Sequence, residues 1–179
     1  MTEDYDAVVY DLDGTLVELD VDWGTVRRRV AAVLEARNVG TEGATLWEMF
    51  DLAREAECFP TVEDRVAEFE REGARSSRRL PLAEELPRSE SVGVVSLNAE
   101  SACQIALEVH GLDSAIDTLV GRDTVEESKP HPQPLHRALS DLGVTPERAL
   151  FVGDSESDAE TARRAGVDFQ SVEKRLRQV

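Results

Sequence analysis

The sequence predicts an α/β fold: a parallel sheet covered by helices on both faces, with a small α-helical insertion after its first strand. Three observations predict it. Short apolar runs that end at polar turns recur along the chain. Apolar stripes at helical spacing, several ended by glycine, alternate with those runs from residue 92 onward. Between about Asp22 and Leu86 the alternation stops and only helical stripes appear. Strands alternating with helices imply βαβ units and a sheet buried on both faces.

The elements follow in order. Ala7-Val8-Val9-Tyr10 reads as a buried strand stopped by the turn Asp11-Leu12-Asp13-Gly14-Thr15. Val26, Val30, Val33 and Leu34 form the first stripe of the insertion. Leu46, Met49, Phe50 and Ala53 form the second, and Val62, Val66 and Phe69 the third. Asn38-Val39-Gly40 and Phe59-Pro60-Thr61 separate them, and Thr61 with Asp64 reads as an N-cap followed by a first-turn acid. Trp47 is expected to pack inside the insertion. The stretch Ala74 to Ser91, rich in Arg, Ser, Glu and Pro, returns the chain to the sheet. Strands are expected at Val92–Val95, Thr118–Val120 and Ala149–Val152, with a weaker one at Phe169–Val172. Helices are expected around Ala102–Val109, Leu135–Leu142 and Ala159–Ala165, ending near Gly111, Gly143 and Gly166. The expected division is a core of residues 1–20 and 87–179 and an insertion of residues 21–86.

Composition narrows the function. At 41% hydrophobic and 32% charged residues the chain can build a core and does not read as a disordered polyacid. No apolar run approaches the roughly 20 residues that cross a bilayer. The N-terminus opens on acids rather than on a basic segment before an apolar one, so no signal peptide is expected. Cys58 and Cys103 fit no metal-ligand spacing and read as free thiols in a reducing cytoplasm. A net charge of −17 disfavours binding to nucleic acid. Of the 20 cations only Lys129 and Lys174 are lysines. Acid excess with scarce lysine resembles proteins of salt-in halophiles, where salt screens carboxylate repulsion.

In an open parallel sheet, ligands bind beyond the carboxyl ends of the strands. The residues that follow the expected strands are Asp11 and Asp13, then Ser96, then Gly153-Asp154 with Asp158 four residues on. Lys129 stands in the loop before the helix at Leu135. Clustered carboxylates raise one another's pKa, and a hard divalent cation such as Mg²⁺ relieves that repulsion. One carboxylate can then act as a nucleophile toward phosphorus and a second as general acid and base. Lys129 and Ser96 suit the transferring phosphoryl oxygens.

Four segments carry a family resemblance. Asp11-Leu12-Asp13-Gly14-Thr15, Val94-Val95-Ser96, Lys129-Pro130-His131-Pro132 and Val152-Gly153-Asp154-Ser155-Glu156-Ser157-Asp158 resemble motifs I to IV of the haloacid dehalogenase superfamily, in order. The resemblance implies a Rossmann-like core with a C1-type helical cap and a phosphoglycolate phosphatase-like activity. It implies Asp11 as nucleophile and metal ligand, and Asp13 as general acid/base and metal ligand through its carbonyl. It implies Ser96 and Lys129 as phosphate-binding, Asp154 as an Mg²⁺ ligand and Asp158 as support for that site. An acid at Asp13 argues for phosphate esters over dehalogenation. Leu97 intervenes where many relatives place Asn directly after the motif II Ser/Thr. The expected function is Mg²⁺-dependent hydrolysis of a small phosphorylated metabolite, in the cytoplasm, with no nucleic acid or membrane partner. A β-phosphoglucomutase-type phosphotransferase and a non-enzymatic scaffold are the alternatives. A receiver-type module lacks a long insertion after its first strand. Arg27, Arg28, Arg29, Arg75, Arg78 and Arg79 are candidate contacts for an anionic leaving group.

Overall fold

The computed structural model describes residues 5–177. Strand β1 (Ala7–Tyr10) is followed by the two-residue strand β2 (Val17–Glu18) and three helices, α1 (Trp23–Glu35), α2 (Leu46–Glu55) and α3 (Phe59–Arg75). Strand β3 (Arg78–Arg79) pairs antiparallel with β2 and closes that segment. The remainder alternates through β4 (Ser91–Val95), α4 (Glu100–Val109), β5 (Thr118–Val120), α5 (Gln133–Leu142), β6 (Ala149–Gly153), α6 (Glu156–Ala165), β7 (Asp168–Ser171) and the short α7 (Val172–Leu176).

Five strands form one parallel sheet in the order β5-β4-β1-β6-β7, so β1 is central. Its side chains alternate between two cores, as a strand period of two requires. Val8 and Tyr10 join the core beneath α4, with Ala102, Ala106 and Leu107. Ala7 and Val9 join the core beneath α5 and α6, with Leu135, Leu139 and Ala162. The ladder runs past the end of β1, where the Asp11 N–H donates to the Val152 carbonyl at 2.9 Å. The sheet therefore fixes the backbone of Asp11 directly.

The α1–α3 segment has a separate core built from the three stripes, including Val26, Val30, Met49, Phe50, Val62 and Val66. Asp22 caps α1 through the Thr25 N–H, and Thr45 with Glu48 forms a capping box on α2. Gly143 and Gly166 end α5 and α6 in the left-handed conformation.

Two local expectations are corrected, and one strand pair goes beyond them. Thr61 does not cap α3. That helix starts at Phe59, because proline in the first turn gives up an N–H that has no helical partner. Trp47 is 45% exposed; it stacks on Phe50 from outside instead of filling the core. The β2–β3 pair was not expected, since two-residue strands leave no periodic pattern to read.

Candidate active site

The carboxyl ends of β1, β4 and β6 open on a cavity of about 210 Å³. Asp11, Asp13, Lys129, Asp154 and Asp158 all line it, so five of the six residues expected after the strands and in the Lys129 loop converge. Lys129 organises them. Its ammonium, nearly buried, donates to Asp11 Oδ1 at 2.7 Å, to Asp158 Oδ1 at 2.5 Å and to the Val95 carbonyl at 3.2 Å. Three acceptors from three elements hold this compact cation, whose three donors diverge from one nitrogen, whereas the donors of a guanidinium all lie in one plane.

Asp158 has two functions. Its Oδ2 accepts from the Ser155 N–H and hydroxyl, completing a capping box at the start of α6, while Oδ1 holds Lys129. The acid thus caps its helix and orients the lysine. Gly153 makes the arrangement possible, because a Cβ there would stand 2.6 Å from the Asp158 side chain. Gly14 matters in the same way: its φ is +87°, and a Cβ would lie 2.3 Å from Asp154 Oδ2.

Asp11 also accepts from the Thr15 hydroxyl at 3.3 Å. Asp13 uses Oδ1 to accept the Leu19 N–H at 2.8 Å, which ties it to the base of the helical segment. Burial raises the Asp11 carboxyl above its ordinary value; the Lys129 charge opposes the rise, and Asp158 and Asp154 reinforce it. Burial likewise raises Asp13 and Asp154, each with a further push from a neighbouring carboxylate. Burial works against the Lys129 charge, but Asp11 and Asp158 outweigh it and raise its pKa. One ammonium cannot neutralise this many carboxylates, so the lysine stays charged while burial, and then mutual repulsion, push the acids up.

Oxygens of Asp11, Asp154 and Asp158 lie within 4.8 Å of one another. A set of carboxylate oxygens carrying excess negative charge suits a hard cation that takes oxygen ligands, so the residues fit Mg²⁺. Asp158 is held at both oxygens by short bonds from Lys129 and Ser155, whereas Asp11 Oδ2 takes only the long 3.3 Å bond from Thr15, which leaves Asp11 and Asp154 as the carboxylates more open to an ion.

Ser96 does not line the cavity; Leu97 and Asn98 do. The Ser96 hydroxyl donates to Asn98 Oδ1 at 3.0 Å and accepts the Asn98 N–H at 3.1 Å. Asn98 in turn donates to Glu70 Oε1 at 3.1 Å. Glu70, fully buried on α3, also accepts the Ala99 N–H at 3.0 Å and a bidentate pair from Arg122 at 2.7 and 2.9 Å. Arg122 pairs with Glu63 as well and donates to the Leu97 carbonyl. This network, which locks α3 to the loop after β4, was missed by the sequence reading. Its signal was an acid on the buried stripe Val62, Val66, Glu70, Gly73.

The arginines expected near a leaving group lie elsewhere. Arg27 bonds the Ala44 carbonyl, Arg28 the Thr25 hydroxyl, Arg75 the Arg71 carbonyl, and Arg78 pairs with Glu18. Arg79 reaches the Ala83 carbonyl, and Arg29 lines a separate cavity with Arg37 and Arg65. Long arginines on an acidic surface find nearer partners. His110 bonds Ser77 and His136 bonds the Ala165 carbonyl, both structural. Cys58 and Cys103 are buried free thiols. Among the described residues, no helix is long and apolar enough to cross a membrane.

A family profile described as haloacid dehalogenase-like hydrolase matches residues 82–172. The pyrophosphatase PpaX of Bacillus cereus is 33% identical over 114 residues, 64% of this chain and 45% of that protein. PpaX of Oceanobacillus iheyensis is 35% identical over 85 residues, 48% of this chain and 40% of that protein. The chain thus spans less than half the length of these curated relatives. A Lactobacillus plantarum crystal structure classed as a phosphoglycolate phosphatase superposes with a TM-score of 0.71 at 26% identity, covering 94% of this chain and 86% of that one. A subfamily IA hydrolase from Geobacter sulfurreducens gives 0.65 at 25% identity, covering 92% and 88%.

Proposed function

This chain belongs to the haloacid dehalogenase-like hydrolase family, and we propose that it hydrolyses a small phosphomonoester with Mg²⁺ through a phosphoryl group carried on Asp11. One observation carries the reading: Lys129 bridges Asp11 and Asp158 at the sheet's carboxyl end, with Asp154 beside them and Asp13 two residues on.

Asp11 and Asp154, with the Asp13 carbonyl, would hold the ion, and Asp158 supports them through Lys129. When bound, Mg²⁺ supplies positive charge for the phosphoryl oxygens and restores the neutrality that one lysine cannot. An oxygen of Asp11 attacks phosphorus as the bond to the leaving alkoxide breaks. Asp13, raised by burial and with one oxygen free of protein partners, gives its proton to that alkoxide. It then takes a proton from the water that attacks phosphorus, which releases phosphate and frees Asp11. Lys129 stabilises the negative charge on the phosphoryl oxygens and on Asp11. Ser96, turned away from Asn98, adds a hydrogen bond. The α1–α3 segment serves as a cap that excludes water.

The remaining acids belong to the environment. The −17 charge with two lysines fits a cytoplasm rich in KCl. The test is phosphate release from a panel of esters with Mg²⁺ at low and high KCl. Turnover that Asp11→Asn abolishes, with the fold intact, is the expected result. Full activity in that variant overturns the assignment.

A further inference from the structure

Beside the acid-lined cavity lies a second one of about 720 Å³, and the two meet at Trp47, Leu97 and Lys129. One wall is aromatic. Trp47 stacks on Phe50 at 5.6 Å between centroids, and Phe59 stands 5.8 Å from Phe50. Leu97, Val125 and Pro130 supply apolar surface from the core.

The charges lining this chamber are arranged against an anion. Each of its three cations has an acid partner: Lys129, which faces the phosphoryl position, is held by Asp11 and Asp158, Arg122 by Glu63 and Glu70, and Arg54, at the solvent-exposed rim, by Asp51 and the face of Phe59 at 4.3 Å. Asp123 and Glu126 add negative charge along the loop after β5. The Ser157 hydroxyl is buried in the lining without a hydrogen-bond partner.

We propose that this chamber receives the leaving group of the ester, and that this group is a flat aromatic or extended apolar body without negative charge. The inference rests on the phosphatase reading above. An aromatic body gains area burial and ring stacking there. A second phosphate or a carboxylate would meet Glu63, Asp123 and Glu126 and no cation without an acid partner beyond the Lys129 that the phosphoryl group already uses, so desolvating its charge there is costly. The chamber therefore disfavours pyrophosphate and phosphoglycolate, the anionic compounds that the names of similar proteins suggest.

The test compares three monoesters of primary alcohols: ethyl, benzyl and carboxymethyl phosphate, the last being phosphoglycolate. The full chain is assayed with Mg²⁺ in high KCl. Benzyl phosphate should exceed ethyl phosphate by about tenfold in kcat/KM, and phosphoglycolate should fall below both. Trp47→Ala, at an exposed position, should cut the benzyl-to-ethyl ratio about fivefold. Phosphoglycolate equal to or above benzyl phosphate, or an unchanged ratio in Trp47→Ala, overturns the inference. If no ester turns over, the phosphatase reading fails, and binding decides the chamber separately. Tighter benzylphosphonate than phosphonoacetate then supports the inference, and the reverse order overturns it.

Discussion

Replacing Glu70 by Ala should destabilise the whole chain, although the residue lies in the helical segment. Its carboxylate accepts four hydrogen bonds: two from Arg122, one from Asn98 and one from the Ala99 N–H. Glu70 is wholly buried and Arg122 nearly so. Burial works against the charge of Arg122, but the bonds and charge of Glu70, then Glu63, outweigh it and raise its pKa. Removing one partner of such a pair leaves a charge stranded out of water, at about 3–5 kcal/mol. Glu63 still holds Arg122 after the change, so the lower end applies, about 3 kcal/mol. For a chain of this size that is a fall in Tm of about 6–12 °C. Glu63 is less deeply buried than Glu70, and Gln keeps an acceptor for Arg122, so Glu63→Gln should cost less than Glu70→Ala. The assay is thermal unfolding followed by circular dichroism, with Glu70→Ala, Arg122→Met and the double variant. The double variant should cost less than the sum of the singles by about 2 kcal/mol. The coupling should persist in concentrated KCl, because salt screens buried pairs far less than exposed ones. A Glu70→Ala protein as stable as wild type, or additive singles, would refute the network.

Other predictions address the acid cluster. Lys129→Arg should lower kcat by about 10²–10³-fold in steady-state assays, since the larger cation cannot reach Asp11, Asp158 and the Val95 carbonyl together. Gly14→Ala should shift the Mg²⁺ dependence of turnover to higher concentration, because the new methyl displaces the Asp154 carboxylate; an Mg²⁺ titration reads the effect. Asp11, Asp13 and Asp154 are all raised above the ordinary 3.8, so the folded, metal-free protein binds more protons than the unfolded chain above that pH. Their contribution to stability is full below 3.8 and is lost as pH rises through the raised values. Binding the ion releases those protons, so the Tm gained from Mg²⁺ over EDTA should grow with pH across that window; a gain independent of pH counts against the site.

Four strands of the sheet were legible because each is a short, largely apolar run; β7 (Asp168–Ser171) is not, and Val172, expected in that strand, begins α7 instead. Ala7–Tyr10 and Thr118–Val120 begin and end where the sequence reading put them. The three insertion stripes point inward as their spacing requires, with Val26, Met49 and Val62 all buried. Asp11 and Asp154 were legible because each directly follows a strand, and Asp13 and Asp158 because they stand two and four residues further on. Other features depend on tertiary neighbours. Nothing local marks Val17–Glu18 and Arg78–Arg79 as partners across the helical segment. The Ser96 hydroxyl turns to Asn98 because Glu70, 28 residues away from Asn98 in sequence, holds that side chain. Trp47 followed a helical stripe by one position, and that offset turned it outward to the chamber.

The central claim is that a phosphoryl group passes through Asp11. Borohydride reduction of the protein during turnover of a phosphate ester with Mg²⁺, followed by peptide mass mapping, tests it directly. An aspartyl-phosphate is reduced to homoserine, so the modification should appear at residue 11 alone and only with both ester and Mg²⁺ present. Phosphate release without modification at Asp11, or with modification at another carboxylate, would contradict the account.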